Sequence, residues 1–344
     1  MHFTHILFWG VSAHTWLAAG QPLNKSDAAA TMHKLRDEYY ETTRALLPHG
    51  ACTKDNIAVR REWDSLSKIE RLDYLRATQC LQSKPSKGNG NTLTQSRFED
   101  FVLGHINATL NIHISGLLLP WHRYFVNLYE KALREECGYK GYQPYWDWSK
   151  YAVNPEGSSI FDGSKFSFGS NGEAVPHGIR SIPVSGGPPP AQYLTREPGT
   201  GGGCVLDGPF ANQTLILDAT NDGASSPIRI WNNPRCLTRD FLLSYLTQQN
   251  SYENVTDLIL NSPDIHTFRP GVEAALGIHG GGHVYISGEN LNFFTSPHDP
   301  AFYLHHAMLD RVWAIWQSRD LATRKDALDG TLTWGDYPPH QMPP

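Results

Sequence analysis

The sequence predicts a mainly α fold: one helical bundle interrupted by long Gly/Pro-rich loops. Three observations predict it. Helix-start signals recur through the first half, apolar residues there fall at helical spacing, and Gly, Pro, Ser and Asn crowd one central stretch from about Tyr151 to Pro234. The 344 residues suffice for one large domain or two smaller ones, and ten tryptophans with fifteen tyrosines supply bulky core material. A net charge of -5 leaves no basic footprint and argues against nucleic acid as a partner.

The first twenty residues read as a secretory signal, which leaves 21–344 as a single domain and the protein as extracellular. Ile6 to Ala19 is mostly apolar, too short to span a bilayer, and is followed by Gly20. A buried N-terminal helix is the competing reading, because His2 and His5 stand before the apolar run where Lys or Arg is usual. No later segment is long and apolar enough for a membrane helix.

Ser26-Asp27 then precede Leu35, Tyr39 and Leu46 at roughly helical spacing. Ser67 with Glu70, and Ser96 with Glu99, match the capping box, in which side chains satisfy the first orphan amides of a helix. The second box opens a helix over Phe98 to about Leu110, which contains His105. Pro120 suits a first helical turn ahead of Trp121 to Glu136, so His122 starts that helix and His113 lies in the connection before it.

The central stretch includes Gly186-Gly187-Pro188-Pro189-Pro190 and Gly201-Gly202-Gly203 and reads as a functional cover or a partly disordered loop. A domain linker is the third option, opposed by histidine groups on both sides that need each other. Helical pattern resumes over Thr238 to Gln249 and around His279. A last helix takes Asp299 as N-cap and Pro300 as its first residue, and runs to about Gln317.

Five cysteines without zinc-finger spacing fit an oxidising compartment and allow at most two internal disulfides. Cys204–Cys236 is the first expected bridge; among Cys52, Cys80 and Cys137 the sequence does not choose. Sequons at Asn24, Asn107, Asn212 and Asn254 would accept glycans in a secreted chain.

Six of the sixteen histidines form two triplets, His105, His113, His122 and His279, His283, His306, among apolar helix-forming residues. A lone histidine on an apolar helix is more often a satisfied core residue than a ligand. Six in two such neighbourhoods, with no thiolate nearby, form a nitrogen ligand set suited to a pair of copper ions. His279 and His283 are one turn apart on one helix face, separated by Gly280, Gly281 and Gly282. Three interior glycines cost roughly 2–3 kcal/mol, a local violation that marks close approach of a metal, ligand or backbone. A glycine-rich turn with two incidental histidines is the bland reading of that segment alone. A zinc protease needs a glutamate directly after the first histidine, where Gly280 stands.

His305 and His306 point about 100° apart on a helix, so at most one faces a given metal. Spacing leaves the choice open. Asp310, one turn beyond His306, is placed to accept its free N–H and fix the tautomer. Tyr145-Trp146-Asp147-Trp148 reads as core packing with Asp147 paired to a donor; Arg60-Arg61-Glu62 holds that donor or is a solvated helix face. His49, His177, His266 and His340 read as surface or loop residues.

These residues resemble a known family. His105, His113 and His122-Arg123, the Tyr145–Trp148 motif, His279 and His283, and Asp299-Pro300, Phe302, His305-His306, Asp310-Arg311 and Trp313 are similar to the type 3 copper proteins: tyrosinases, catechol oxidases (polyphenol oxidases) and hemocyanins. The similarity runs from about Asn56 to Trp316 and is strongest to the short secreted fungal members. It implies a helical bundle holding a dinuclear copper centre, with His105, His113 and His122 on one ion and His279, His283 and His306 on the other. It places His305 behind the ligands. It implies O2 and small phenols as reactants, with o-diphenols oxidised to o-quinones while O2 goes to water.

Departures from the family pattern refine this. Asn111 stands where some members carry a cysteine joined to the second histidine by a thioether, so His113 is expected unmodified. Strongly hydroxylating members often have asparagine after the first histidine of the second site, where it helps a glutamate and a water deprotonate the phenol. Gly280 lacks that group, while Glu273 fits the glutamate. Phe293 falls where the family places a gate over the first copper. The expectation is catechol oxidation faster than monophenol hydroxylation. A fully hydroxylating tyrosinase is the near alternative and a hemocyanin-like O2 carrier the distant one.

Overall fold

Both capping boxes form. Ser67 and Ser96 each accept from the amide three residues on, and Glu70 and Glu99 reach back to the cap amide. They open two of the helices in a computed structural model that describes residues 25–47, 53, 55–88, 92–183, 193–221, 226–274 and 277–333. The expected signal segment lies outside the described residues, as do Asn24, His49, Cys52, Gly186 to Pro190 and His340.

The described residues are about 53% helical. Its helices are α1 Lys25–Leu46, α2 Lys68–Ser83, α3 Arg97–Ile112, α4 Leu118–Cys137, the single turn α5 Trp148–Tyr151, α6 Leu243–Gln249, α7 Tyr252–Asn261, α8 Ile265–Glu273, α9 Ile278–Ile286, α10 Ala301–Ser318 and the single turn α11 Leu321–Arg324. Strand pairs β1 Arg180–Pro183 with β2 Tyr193–Arg196, and β3 Thr214–Thr220 with β4 Arg229–Cys236, run antiparallel between α5 and α6.

α10 is the centre of the bundle. Every residue from Ala301 to Leu309 is buried, so this helix is covered on all sides, as a core helix must be. α4 packs against α2 and α10, α9 against α6, α8 and α10, and α3 against α2 and α4. α3 buries Phe98, Phe101, Val102, His105, Ile106, Thr109 and Ile112, a stripe at helical period, and His105 is one member of it. On α4 His122 shares the buried face with Phe125, Val126 and Tyr129.

Boundaries shift where caps decide. α4 begins two residues earlier than Pro120, which sits in its first turn where no amide is needed. α10 starts at Ala301 with Pro300 at the cap, while the Asp299 carboxylate still accepts the Ala301 amide. The helix expected from Thr238 begins only at Leu243, because Arg239 and Asp240 are drawn into buried pairings: Arg239 with Asp299, and Asp240 with the Gly199 and Gly201 amides. The stretch expected to be loop from Tyr151 to Pro234 contains both strand pairs. Alternate burial in β3 packs Leu215, Leu217 and Ala219 onto the core.

Cys204 and Cys236 are joined, as expected, and the second bridge is Cys80–Cys137 between the C-terminal ends of α2 and α4. Closing a 57-residue separation stabilises the fold by about 4 kcal/mol on the chain-entropy picture. Among the described residues no helix is long and apolar enough to cross a membrane.

Candidate metal centre

α3, the turn after it and α4 bring His105, His113 and His122 together; α9 and α10 bring His279, His283, His305 and His306 together. Within each group the donor nitrogens lie within 4.8 Å of one another. The groups face each other, with the His122 and His306 rings stacked at 4.2 Å and 15°.

Hydrogen bonds fix which nitrogen faces inward. Nδ1–H donates to the Phe294 carbonyl from His105 (2.8 Å), to Thr109 from His113 (3.0 Å), to Leu118 from His122 (2.8 Å) and to Asn290 from His283 (2.7 Å). Carbonyls only accept, so each of these rings carries its proton on Nδ1 and presents a bare Nε2 lone pair. The Nε2 atoms of His105, His122 and His279 are buried without a partner. Those of His283 and His306 stand 3.2 Å apart. Burial pushes all six rings below the usual histidine range, His113 to about 4, so they are neutral donors at pH 7. Converging neutral lone pairs in a buried site repel one another, and cations between them relieve the repulsion. The residues therefore fit a metal pair.

His305 differs in kind. The Trp148 indole, which can only donate, gives its proton to His305 Nδ1 at 2.9 Å, and His305 Nε2–H donates to the His279 carbonyl at 3.1 Å. Both ring nitrogens are spent, so His305 has no lone pair for a metal. It buttresses α9 from behind. The glycines make that possible: a Cβ on Gly282 would stand 2.4 Å from His305 Nδ1, and one on Gly281 2.1 Å from Asn250 Oδ1 at the end of α6. Close approach is thus the reason for two of the three glycines, and the approaching groups are a side chain and a neighbouring helix end. Gly280 is half-buried beside His279.

Several expected partners are placed otherwise. Asp310 does not serve His306: its carboxylate holds Arg60 at 2.9 Å and Arg123, which lies 3.8 Å over the Trp313 ring. Arg60 also pairs with Glu130 at 2.9 Å, so it is a bundle strut and not part of a solvated face. It leaves Asp147 aside, whose Oδ1 is buried without a partner. Trp148 does more than pack, because it sets the His305 tautomer. His177 is bonded at both nitrogens, to Asp240 and the Val175 carbonyl, and His266 pairs with Asp329 at 2.6 Å.

The Phe293 ring centre lies 4.9 Å from that of His113. The Glu273 side chain is enclosed; that burial raises its carboxyl to about 7 against the opposing pull of Arg269 and the Ile114 and Ser115 amides. Asn290 and the Phe294 carbonyl, which orient two rings, carry no sequence signal of their own.

Residues 95–319 match the common central domain of tyrosinase. The chain is 43% identical to the tyrosinase-like protein orsC of Emericella nidulans over 88% of this chain and 85% of that one. It is 40% identical to Tyrosinase P of Aspergillus terreus over 84% and 83% of the two chains. A polyphenol oxidase from Thermothelomyces thermophila, solved as a glycine-to-asparagine variant, superposes with a TM-score of 0.76 at 42% identity, covering 91% of this chain and 87% of that one.

Proposed function

Because the chain belongs to the tyrosinase family, we propose that it is a copper-dependent oxidase converting o-diphenols to o-quinones, with monophenol hydroxylation slower. His105, His113 and His122 would hold one copper, and His279, His283 and His306 the other, with His305 behind them. Copper supplies the electron transfer that histidine cannot. Each catechol gives up two electrons and two protons, and one O2 takes up four of each to become two waters.

The observation that supports the substrate preference is the pair of residues beside the second site: position 280 is glycine, and both Glu273 oxygens already accept hydrogen bonds. Hydroxylating a phenol first requires removal of its proton, whereas oxidising a catechol inserts no oxygen. Gly280 has no side chain to orient a water. The Glu273 oxygens are taken by the Ile114 and Ser115 amides and by Arg269. Phe293 beside His113 narrows approach to the first copper. The test is initial O2 uptake on a matched phenol and catechol by copper-loaded protein. Faster catechol, with a lag on the phenol, is expected; faster phenol without a lag would contradict the reading, and inertness towards both would favour an O2 carrier.

The natural substrate is a small phenol. One relative, 36% identical over 315 residues, is an N-acetyl-6-hydroxytryptophan oxidase of Emericella nidulans, so hydroxyindoles are to be tested beside the phenol and the catechol. Two disulfides support an oxidising, extracellular destination, and the described sequon residues Asn107, Asn212 and Asn254 are all exposed.

A further inference from the structure

His113 ends α3 with extended backbone, and Ile114 after it has a φ of 50°. A β-branched residue avoids that region unless its surroundings impose it. The surroundings here are two remote segments. From α8, the Glu273 carboxylate accepts the Ile114 amide and, at 3.4 Å, the Ser115 amide. From beyond α11, the Thr331 carbonyl accepts the Gly116 amide at 2.8 Å, and the Thr331 hydroxyl donates to the Ile114 carbonyl at 3.2 Å.

The two segments are themselves joined. Arg269 donates to the second Glu273 oxygen at 2.7 Å and reaches Asp329 at 3.4 Å. Gly330 lies between them with a φ of 124°; a Cβ there would stand 2.6 Å from the Gly116 nitrogen and 3.0 Å from Arg269 Nε. The turn's three amides and the Ile114 carbonyl are therefore held from outside α3 and α4, and the turn fixes the His113 backbone while the Thr109 carbonyl of α3 holds its ring.

We propose that Glu273, Arg269 and the segment Asp329–Thr331 form a clamp of positioning residues for the copper ligand His113, with Glu273 a strut of that clamp and not the base that takes a phenol's proton. This rests on the reading of His113 as a ligand. The carboxylate geometry supports the strut: one oxygen accepts from two backbone amides and the other from the Arg269 guanidinium, all donors held by the fold. Gly330 is required because only glycine adopts its backbone conformation without strain while lying against the turn.

The test compares Glu273→Gln, Gly330→Ala and Thr331→Val with the unaltered protein. The readouts are copper release to a chelator, phenol and catechol turnover, and hydrogen exchange at the Ile114, Ser115 and Gly116 amides. The clamp predicts that one of the two coppers leaves about 10–100-fold faster. Both turnovers fall together, and the three amides exchange at least about tenfold faster in copper-free and loaded protein alike. Gly330→Ala and Thr331→Val alter no carboxylate, so they carry the test even where Glu273→Gln folds poorly. Selective loss of phenol hydroxylation in Glu273→Gln, with copper release and exchange unchanged in all three, would overturn the proposal. If the unaltered protein holds no copper at His113, the functional reading fails, and the amide exchange still reports on the clamp.

Discussion

The two histidine triplets are built differently. His279, His283 and His306 stand on two helices packed against each other, and their directions follow from helical geometry and from small residues that let α9 approach His305. His105 and His122 also stand on helices, but His113 lies at the end of α3 before a strained turn, tied down by segments distant in sequence. Regular structure can aim a ligand by itself. A ligand between elements needs an external brace, and that brace extends the site's dependence to residues such as Gly330 that never approach a substrate.

The contrast can be broken by variants that strike one side only. Largest is ligand removal: His105→Ala and His283→Ala should each abolish catechol turnover and leave about one copper per chain by metal analysis. Equal loss of both coppers in either variant would show the sites to be one cooperative unit. Next comes the shared frame. Cys80→Ser should lower unfolding stability by about 4 kcal/mol in a denaturant titration, with the ratio of phenol to catechol rates unchanged.

Trp148→Phe sharpens the comparison further. It leaves the buried His305 Nδ1 without its donor, at a cost of about 1–3 kcal/mol. Copper at the second site should weaken about 10–100-fold, as measured by competition with a chelator, while the first site is spared. Smallest is Gly280→Asn. It should raise the phenol-to-catechol rate ratio a few-fold, about 1 kcal/mol of differential barrier, without altering copper content. An unchanged ratio would remove Gly280 from the account of substrate preference.

The same contrast explains what the sequence made legible. The α3 cap at Ser96 and Glu99, the burial of His105 and His122, and the His279–His283 pairing follow from period and capping, which are local physics. Cys204–Cys236 was accessible because the two residues flank one loop-rich stretch. Long-range partnerships were not accessible. Asp310 is one turn from His306, yet two arginines from other elements capture its carboxylate. Trp148 reads as packing until its indole is seen on His305. Alternation in β3 is short and lies in a stretch dominated by turn residues, so both strand pairs were hidden. Ile114 gives no sign of a positive φ, because the remote Glu273 and Thr331 hold it there.

The choice between adjacent histidines is the most direct test of the whole account, since spacing left it open and the hydrogen bonds at His305 decide it in the structure. The measurement is copper per chain, at saturating copper, in His305→Gln and His306→Gln. Two coppers retained in the first and about one in the second is the predicted result. The reverse, with His305→Gln losing an ion and His306→Gln keeping both, would contradict it.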